Sequence, residues 1–118
     1  MNIAYPSHRR VKDMVASERP QERLENLGVE ALSDRELLAM ILRTGTHGID
    51  VLSMSEDLLQ EAGSLANLLR WSAEDFRKIH GIGKVKALQL ISVMQFAKRL
   101  LTEEDSKEIR FDNSAMVA

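Results

Sequence analysis

No cysteine occurs anywhere in this sequence of 118 residues. A disulfide framework and a thiolate metal site are both excluded, and a reducing compartment is the default expectation. Aromatic residues make up only 4% of a chain that is 44% hydrophobic, so the core has to be assembled from Leu, Ile and Met. No apolar run approaches the roughly 20 residues needed to cross a bilayer. No signal-peptide pattern follows Met1, so the expected setting is cytoplasmic and away from membranes. Histidine is sparse as well. His8, His47 and His80 are too scattered to form a ligand set, and turn or surface positions are expected for all three. The sequence therefore calls for no metal and no cofactor. Its length suits one domain with a modest core.

Acid slightly exceeds base, with 18 Asp and Glu against 16 Lys and Arg and a net charge of −2. That balance argues mildly against a nucleic-acid partner, but its distribution argues the other way. Between positions 70 and 101 the basic residues Arg70, Arg77, Lys78, Lys84, Lys86, Lys98 and Arg99 stand against only Glu74 and Asp75. A basic face on an acidic domain fits weak, salt-sensitive attraction to a polyanion.

The same stretch carries the strongest motif. Ser72 is a good N-cap with Asp75 as its capping-box partner, and Phe76 and Ile79 give the short helix that follows an apolar edge. His80, Gly81, Ile82 and Gly83 then turn the chain. A second helix begins near Lys84 with an apolar stripe at Ala87, Leu90, Met94, Ala97 and Leu101. Helix, Gly-Ile-Gly, helix is the pattern of a helix-hairpin-helix module, with Ile82 as the plug that seats the turn. The chemistry of such a turn is phosphate binding. Glycines let an oxyanion approach the backbone amides, the helix N-terminus favours negative charge, and Lys84 and Lys86 add mobile charge. The expected DNA-phosphate site is therefore His80, Gly81, Ile82, Gly83, Lys84 and Lys86, and it reads backbone rather than bases. A nucleotide P-loop is excluded because Lys78 stands where its first Gly belongs and Val85 follows the Lys. A dinucleotide fingerprint lacks its third Gly and its strand.

Earlier in the chain the signals repeat. Residues 1–16, with His8, Arg9, Arg10 and Lys12, form a basic arm expected to be flexible. Pro20 opens a helix through Leu24 and Leu27 that stops at Gly28, its charges Arg19, Glu22, Arg23 and Glu25 expected on a solvated face. Ser33 to Glu36 is a full capping box, and Leu37, Leu38, Ile41 and Leu42 follow as core. Arg43, Thr44, Gly45, Thr46, His47 and Gly48 make another glycine-bounded turn, a candidate second hairpin. Asp50 caps a helix through Leu59 that ends at Gly63, and a connector leads to Trp71. Ser33 and Ser72 stand 39 positions apart, so the chain reads as two helix–turn–helix units in a degenerate tandem, their hairpins close together about a pseudo-dyad. The helical domain is placed at 17–101. Residues 102–118 are polar, without cap or stop, and read as a linker or a tail cut short.

Four segments carry a family resemblance. Residues 18–24 (ERPQERL), 31–39 (ALSDRELLA) and 43–48 (RTGTHG) resemble the N-terminal helical domain of bacterial RadC-like (UPF0758) proteins, and residues 80–90 (HGIGKVKALQL) match that family's hairpin. The resemblance implies a helix-hairpin-helix region, an association with DNA repair, and a following zinc-dependent JAMM-type domain. That domain's His-x-His pair and downstream Asp are missing here, since no His follows His80.

The expected fold is all-α, a small bundle of five or six short helices without a sheet. The expected function is a non-catalytic, sequence-independent DNA-binding module. The alternative is a helical interaction module whose partner is the missing C-terminal domain. An enzyme of the base-excision glycosylase type is not expected. Glu103, Glu104 and Asp105 fall near the distance of its catalytic Asp, but the Gly/Pro-rich stretch that introduces that Asp is absent.

Overall fold

The computed structural model describes residues 11–15, 18–46 and 48–114. Among them are five α-helices: α1 Pro20–Leu27, α2 Asp34–Leu42, α3 Val51–Ala62, α4 Ala73–Arg77 and α5 Lys84–Ser114. Short 3-10 turns at Val11–Asp13, Val29–Ala31 and Ala66–Arg70 fill the connections. The all-α expectation holds. The one strand-like feature among the described residues is an isolated bridge between Thr46 and Ile49 inside the α2–α3 turn. Most of the basic arm, His8, Arg9 and Arg10 included, lies outside the described residues.

Local chemistry accounts for where the helices begin. Pro20 occupies the first position of α1, where its missing N–H costs nothing, and Gly28 ends the helix at φ 91°. Ser33 and Glu36 form a complete capping box on α2: the Glu36 N–H donates to Ser33 Oγ at 3.2 Å, and the Ser33 N–H donates to Glu36 Oε1 at 2.9 Å. Ser72 and Asp75 do the same for α4, at 3.1 and 2.8 Å. The Asp75 box is therefore complete, although its acid is one methylene shorter than the usual Glu. Asp50 caps α3 and also reaches back to the N-terminal turn. Its Oδ2 accepts from the Leu52 N–H at 3.0 Å and its Oδ1 from the Val11 N–H at 2.9 Å.

Arg23 departs from the expected solvated face. Its Nε lies 2.8 Å from Glu36 Oε2, and its Nη2 donates to the Ala31 carbonyl at 2.9 Å. The guanidinium thus ties α1 to the capping box of α2 and to the 3-10 turn between them. A side chain that reaches two neighbouring elements cannot be told from a solvated one by helical periodicity.

The core joins Leu38, Ala39 and Leu42 of α2 to Leu52, Met54 and Leu58 of α3. Phe76, Ile82, Ala87 and Leu90 close it from the second unit. Ile82 is only 4% exposed and fills the plug position expected of it. Trp71 meets Phe76 edge to face, with ring centroids 5.1 Å apart. The apolar stripe of α5 is buried at Ala87, Leu90 and Met94 and then leaves the core, so that Leu101 is 57% exposed. The helix itself continues to Ser114 and reaches 31 residues, far from short. Hydrophobic periodicity marks where a helix is buried. Good helix formers such as Glu103 and Glu104 can carry it further.

Gly81 holds the two turns in contact, and Gly45 lets the first turn close on itself. A Cβ on Gly81, which sits at φ +94°, would stand 2.7 Å from Thr46 Cγ2, 2.9 Å from Ile49 Cδ1 and 3.0 Å from Met54 Cε. A Cβ on Gly45 would collide with the backbone carbonyl oxygen of Ile49. Gly83 has no atom within 4 Å of its Cβ position and a φ outside the left-handed region. Chemical denaturation should therefore rank three alanine variants. Gly45→Ala is the most destabilising because rigid backbone must move. Gly81→Ala costs about 1–3 kcal/mol from the strained φ alone. Gly83→Ala, free of clash and of positive φ, costs least, about 0.5–1 kcal/mol from the poorer N-cap that Ala makes.

Candidate nucleic-acid interface

The α4–α5 turn opens α5 at Gly83, which has no side chain with which to cap the helix. The Ile82 N–H is committed internally, donating to the Ile79 carbonyl at 3.0 Å. In α5 the Ala87 N–H donates to the Gly83 carbonyl at 3.0 Å, and the amides of Lys84, Val85 and Lys86 precede it without intrahelical acceptors. The other capped helices fill this position with a side chain: Ser33 for α2, Asp50 for α3 and Ser72 for α4. Gly83 has none to offer. In front of the turn lies an open depression of about 520 Å³, lined by Arg77, Lys78, His80, Gly81, Gly83 and, from the first unit, Thr46. Lys84 and His80 are exposed beside it.

The site expected from sequence is thus brought together only in part. Gly81 shapes the turn, Gly83 leaves it open, and Ile82 anchors it from below. Lys86 turns elsewhere. It is half-buried, with Nζ 3.4 Å from the Leu42 carbonyl and 3.5 Å from Thr44 Oγ1. One turn further along α5, Gln89 Nε2 donates to the Ile41 carbonyl at 2.8 Å. These two side chains satisfy the last carbonyls of α2, which makes them a tertiary cap for the first unit. In the opposite direction, Arg77 and Lys78 line the depression although the motif did not include them. The basic excess between 70 and 101 contained that signal, but only the folded turn assigns those two residues to one wall.

The first glycine turn is built differently. Arg43 follows α2 at φ 68° and ψ −49°, and the Thr44 N–H donates to the Leu42 carbonyl at 2.8 Å. That is a three-residue γ-turn with Arg43 at its centre, a conformation that strains a non-glycine residue by about 1–3 kcal/mol. Thr46 and Ile49 exchange two backbone hydrogen bonds, at 3.0 and 2.8 Å, across Gly48 at φ +74°. His47, between them, lies outside the described residues. The N-terminus of α3 already holds the Asp50 carboxylate, so its amides are occupied where those of the second unit are open. The two turns nevertheless touch, through Gly81 against Thr46 and Ile49.

Comparison with known sequences settles the family. The sequence model described as UPF0758 N-terminal matches residues 11–88. The chain belongs to the UPF0758 family. A UPF0758 protein of Clostridium botulinum strain Langeland is 41% identical over 103 residues, covering 87% of this chain and 45% of that protein. A UPF0758 protein of Variovorax paradoxus is 42% identical over 107 residues, covering 90% of this chain and 48% of the relative. The UPF0758 chain therefore spans less than half the length of these relatives. No solved structure matches it. Among the described residues no three His, Cys, Asp or Glu side chains are grouped to hold a metal ion, and no helix is long and apolar enough to cross a membrane.

Two outcomes follow from this geometry. Gln89→Ala should destabilise the domain by about 0.5–1.5 kcal/mol, and Lys86→Ala, whose contacts are longer, by no more than that. Lys84→Ala should fall within about 0.5 kcal/mol of the parent. Thermal unfolding of the three variants side by side checks the ranking. The second outcome concerns Asp75. The Ser72 N–H, and then the Ser72 hydroxyl, hold its carboxyl below the usual carboxylate range; Lys78 helps slightly against a small opposing effect of desolvation. A carboxyl depressed in the folded state contributes stability that is present above its unfolded value of about 4 and is lost as pH falls through the lower, folded value. Asp75→Asn should remove that portion of the acid dependence, read as a flatter plot of melting temperature against pH below about 4.

Proposed function

We propose that this domain is a non-catalytic module that holds DNA by its phosphates through the α4–α5 turn, without sequence preference. The observation that carries the reading is the uncapped start of α5. Helices α2, α3 and α4 fill their N-termini with their own side chains and α1 opens on Pro20, whereas α5 begins at a glycine beside a depression lined by Arg77 and Lys78, with Lys84 exposed at the next position. Unpaired amides and a favourable helix dipole suit a phosphodiester oxygen, and the flanking cations add a salt-dependent attraction. Backbone amides at a helix start recognise an oxyanion irrespective of the base it carries, which fits backbone-directed binding. The role in DNA repair implied by the family resemblance, in the cytoplasm, is the setting this reading supports.

The test compares Gly83→Ala, Gly83→Val and Lys84→Ala by fluorescence anisotropy on a short labelled duplex at several salt concentrations. Gly83 has room for a Cβ, and melting temperatures recorded for each variant separate losses of binding from losses of fold. Gly83→Val should weaken binding more than Gly83→Ala, and Lys84→Ala should lower the salt slope by about one. Unchanged affinity and slope in both Gly83→Val and Lys84→Ala would overturn the proposal.

One feature favours the second reading, an interaction module that positions a metal-dependent JAMM-type domain. Val85, Leu88, Phe96 and Leu100 are exposed along α5 at spacings of three, eight and four, which puts them on the face opposite Ala87, Leu90 and Met94. If that stripe is an intramolecular interface, Phe96→Ala in a full-length relative leaves DNA affinity unchanged and loosens the two halves in hydrogen exchange.

A further inference from the structure

A second basic wall stands apart from the α4–α5 turn. A cleft of about 460 Å³ runs along the α2–α3 turn, and Lys12, Arg19 and Arg43 line it together with Thr44, Thr46 and Asp50. A smaller adjoining hollow of about 260 Å³ again has Arg19 and Arg43 on its wall, with Glu22 as its acid. Three cations thus converge on two carboxylates, and the Asp50 carboxylate is already engaged by the Leu52 and Val11 amides. Arg19 donates from Nη2 to the Lys12 carbonyl at 3.4 Å, while its Nε is buried without a hydrogen-bond acceptor. Arg43 is exposed, and among the described residues its guanidinium makes no hydrogen bond or ion pair. The backbone holds this arginine at a strained φ of 68°, where glycine would be at ease. Strain retained at an exposed cation is a feature of binding sites.

We propose that this cleft seats a phosphate oxyanion between Arg19 and Arg43, with Lys12 at its rim, and that the occupant is a phosphodiester of the DNA strand held at the α4–α5 turn. Guanidinium groups suit the role because their planar fork matches two phosphate oxygens at once. Thr46 supplies the continuity, since it lines both this cleft and the depression in front of Gly81 and Gly83. A strand leaving the second turn therefore passes Thr46 to reach Arg43. The choice of occupant rests on the DNA reading. The seat itself rests on Lys12, Arg19 and Arg43.

The experiment uses the whole chain in two arms. In the first, anisotropy on labelled duplex and single strand is measured across salt for the parent, Arg43→Gln, Lys12→Ala, Lys84→Ala and the double variant of Arg43→Gln with Lys84→Ala. Arg43→Gln and Lys12→Ala should each lower the salt slope by about one, additively with Lys84→Ala. Lys12→Ala changes an exposed side chain and stays informative even if Arg43→Gln unfolds. Parent affinity and slope in both Arg43→Gln and Lys12→Ala overturn the DNA seat, whatever Lys84→Ala does. In the second arm, inorganic phosphate and pyrophosphate are titrated while the Thr44 and Gly45 amide resonances are followed. If the parent fails to bind DNA, the proposed function fails. The seat then stands, for a free phosphate, on shifts at those amides in the parent that vanish in Arg43→Gln. Unmoved amides overturn it too.

Discussion

The close approach of Gly81 to Thr46, Ile49 and Met54 is the contact on which the rest of the domain depends. Each helix–turn–helix unit is too small to bury its own apolar face. The two units share one core because their turns come within van der Waals reach, and they can do so because position 81 carries no side chain. Everything above that contact inherits its geometry. The plug Ile82 lies one residue on, the open start of α5 two residues on, and the wall containing Thr46 directly opposite. Position 81 needs glycine for both its φ and its surroundings, whereas Gly83 needs it for neither. That asymmetry divides the Gly-Ile-Gly turn into a structural glycine and one that leaves space in front of the amides.

The second organising constraint is the satisfaction of helix ends. Four amides at each start and four carbonyls at each finish must find partners. Here the starts of α2, α3 and α4 are closed by local side chains. The finish of α2 is closed from a distance, by Gln89 and Lys86 reaching across from α5. One helix therefore performs two tasks at its N-terminal turns, leaving its own amides open while capping its neighbour's carbonyls. Lys86 illustrates the division: three residues from Gly83, it serves the first unit.

Much of the fold is legible in the residues because it is local. Ser33 with Glu36, Ser72 with Asp75, Asp50, Pro20 and Gly28 announce helix ends through side chains that act within four positions of themselves. The burial of Ala87, Leu90 and Met94 follows from spacing. The site is less legible, since its features are tertiary. Lys86 cannot be told from Lys84 without the position of Leu42, and Arg23 cannot be told from a solvated arginine without Glu36. The γ-turn at Arg43 has no composition signature at all, because the sequence there shows an ordinary arginine before a glycine-rich turn. The likeness between the two turns was legible as spacing, but the carboxylate of Asp50 makes the first one electrostatically unlike the second. The length of α5 was hidden for another reason: burial ends near Met94, while helix propensity does not.

The continuity of α5 also makes it a rotary shaft. A helix turns by about 100° and advances about 1.5 Å with each residue, and an uninterrupted one transmits both without slack. The amides at Lys84 are thereby phased to every side chain that follows, out to Leu100 and Leu101 beyond the core. One residue inserted between Gln95 and Thr102 would leave the turn and the core untouched, yet swing the far end of the helix through more than a quarter circle. Over that span the register of the chain, rather than its composition, sets the aim of whatever the shaft carries.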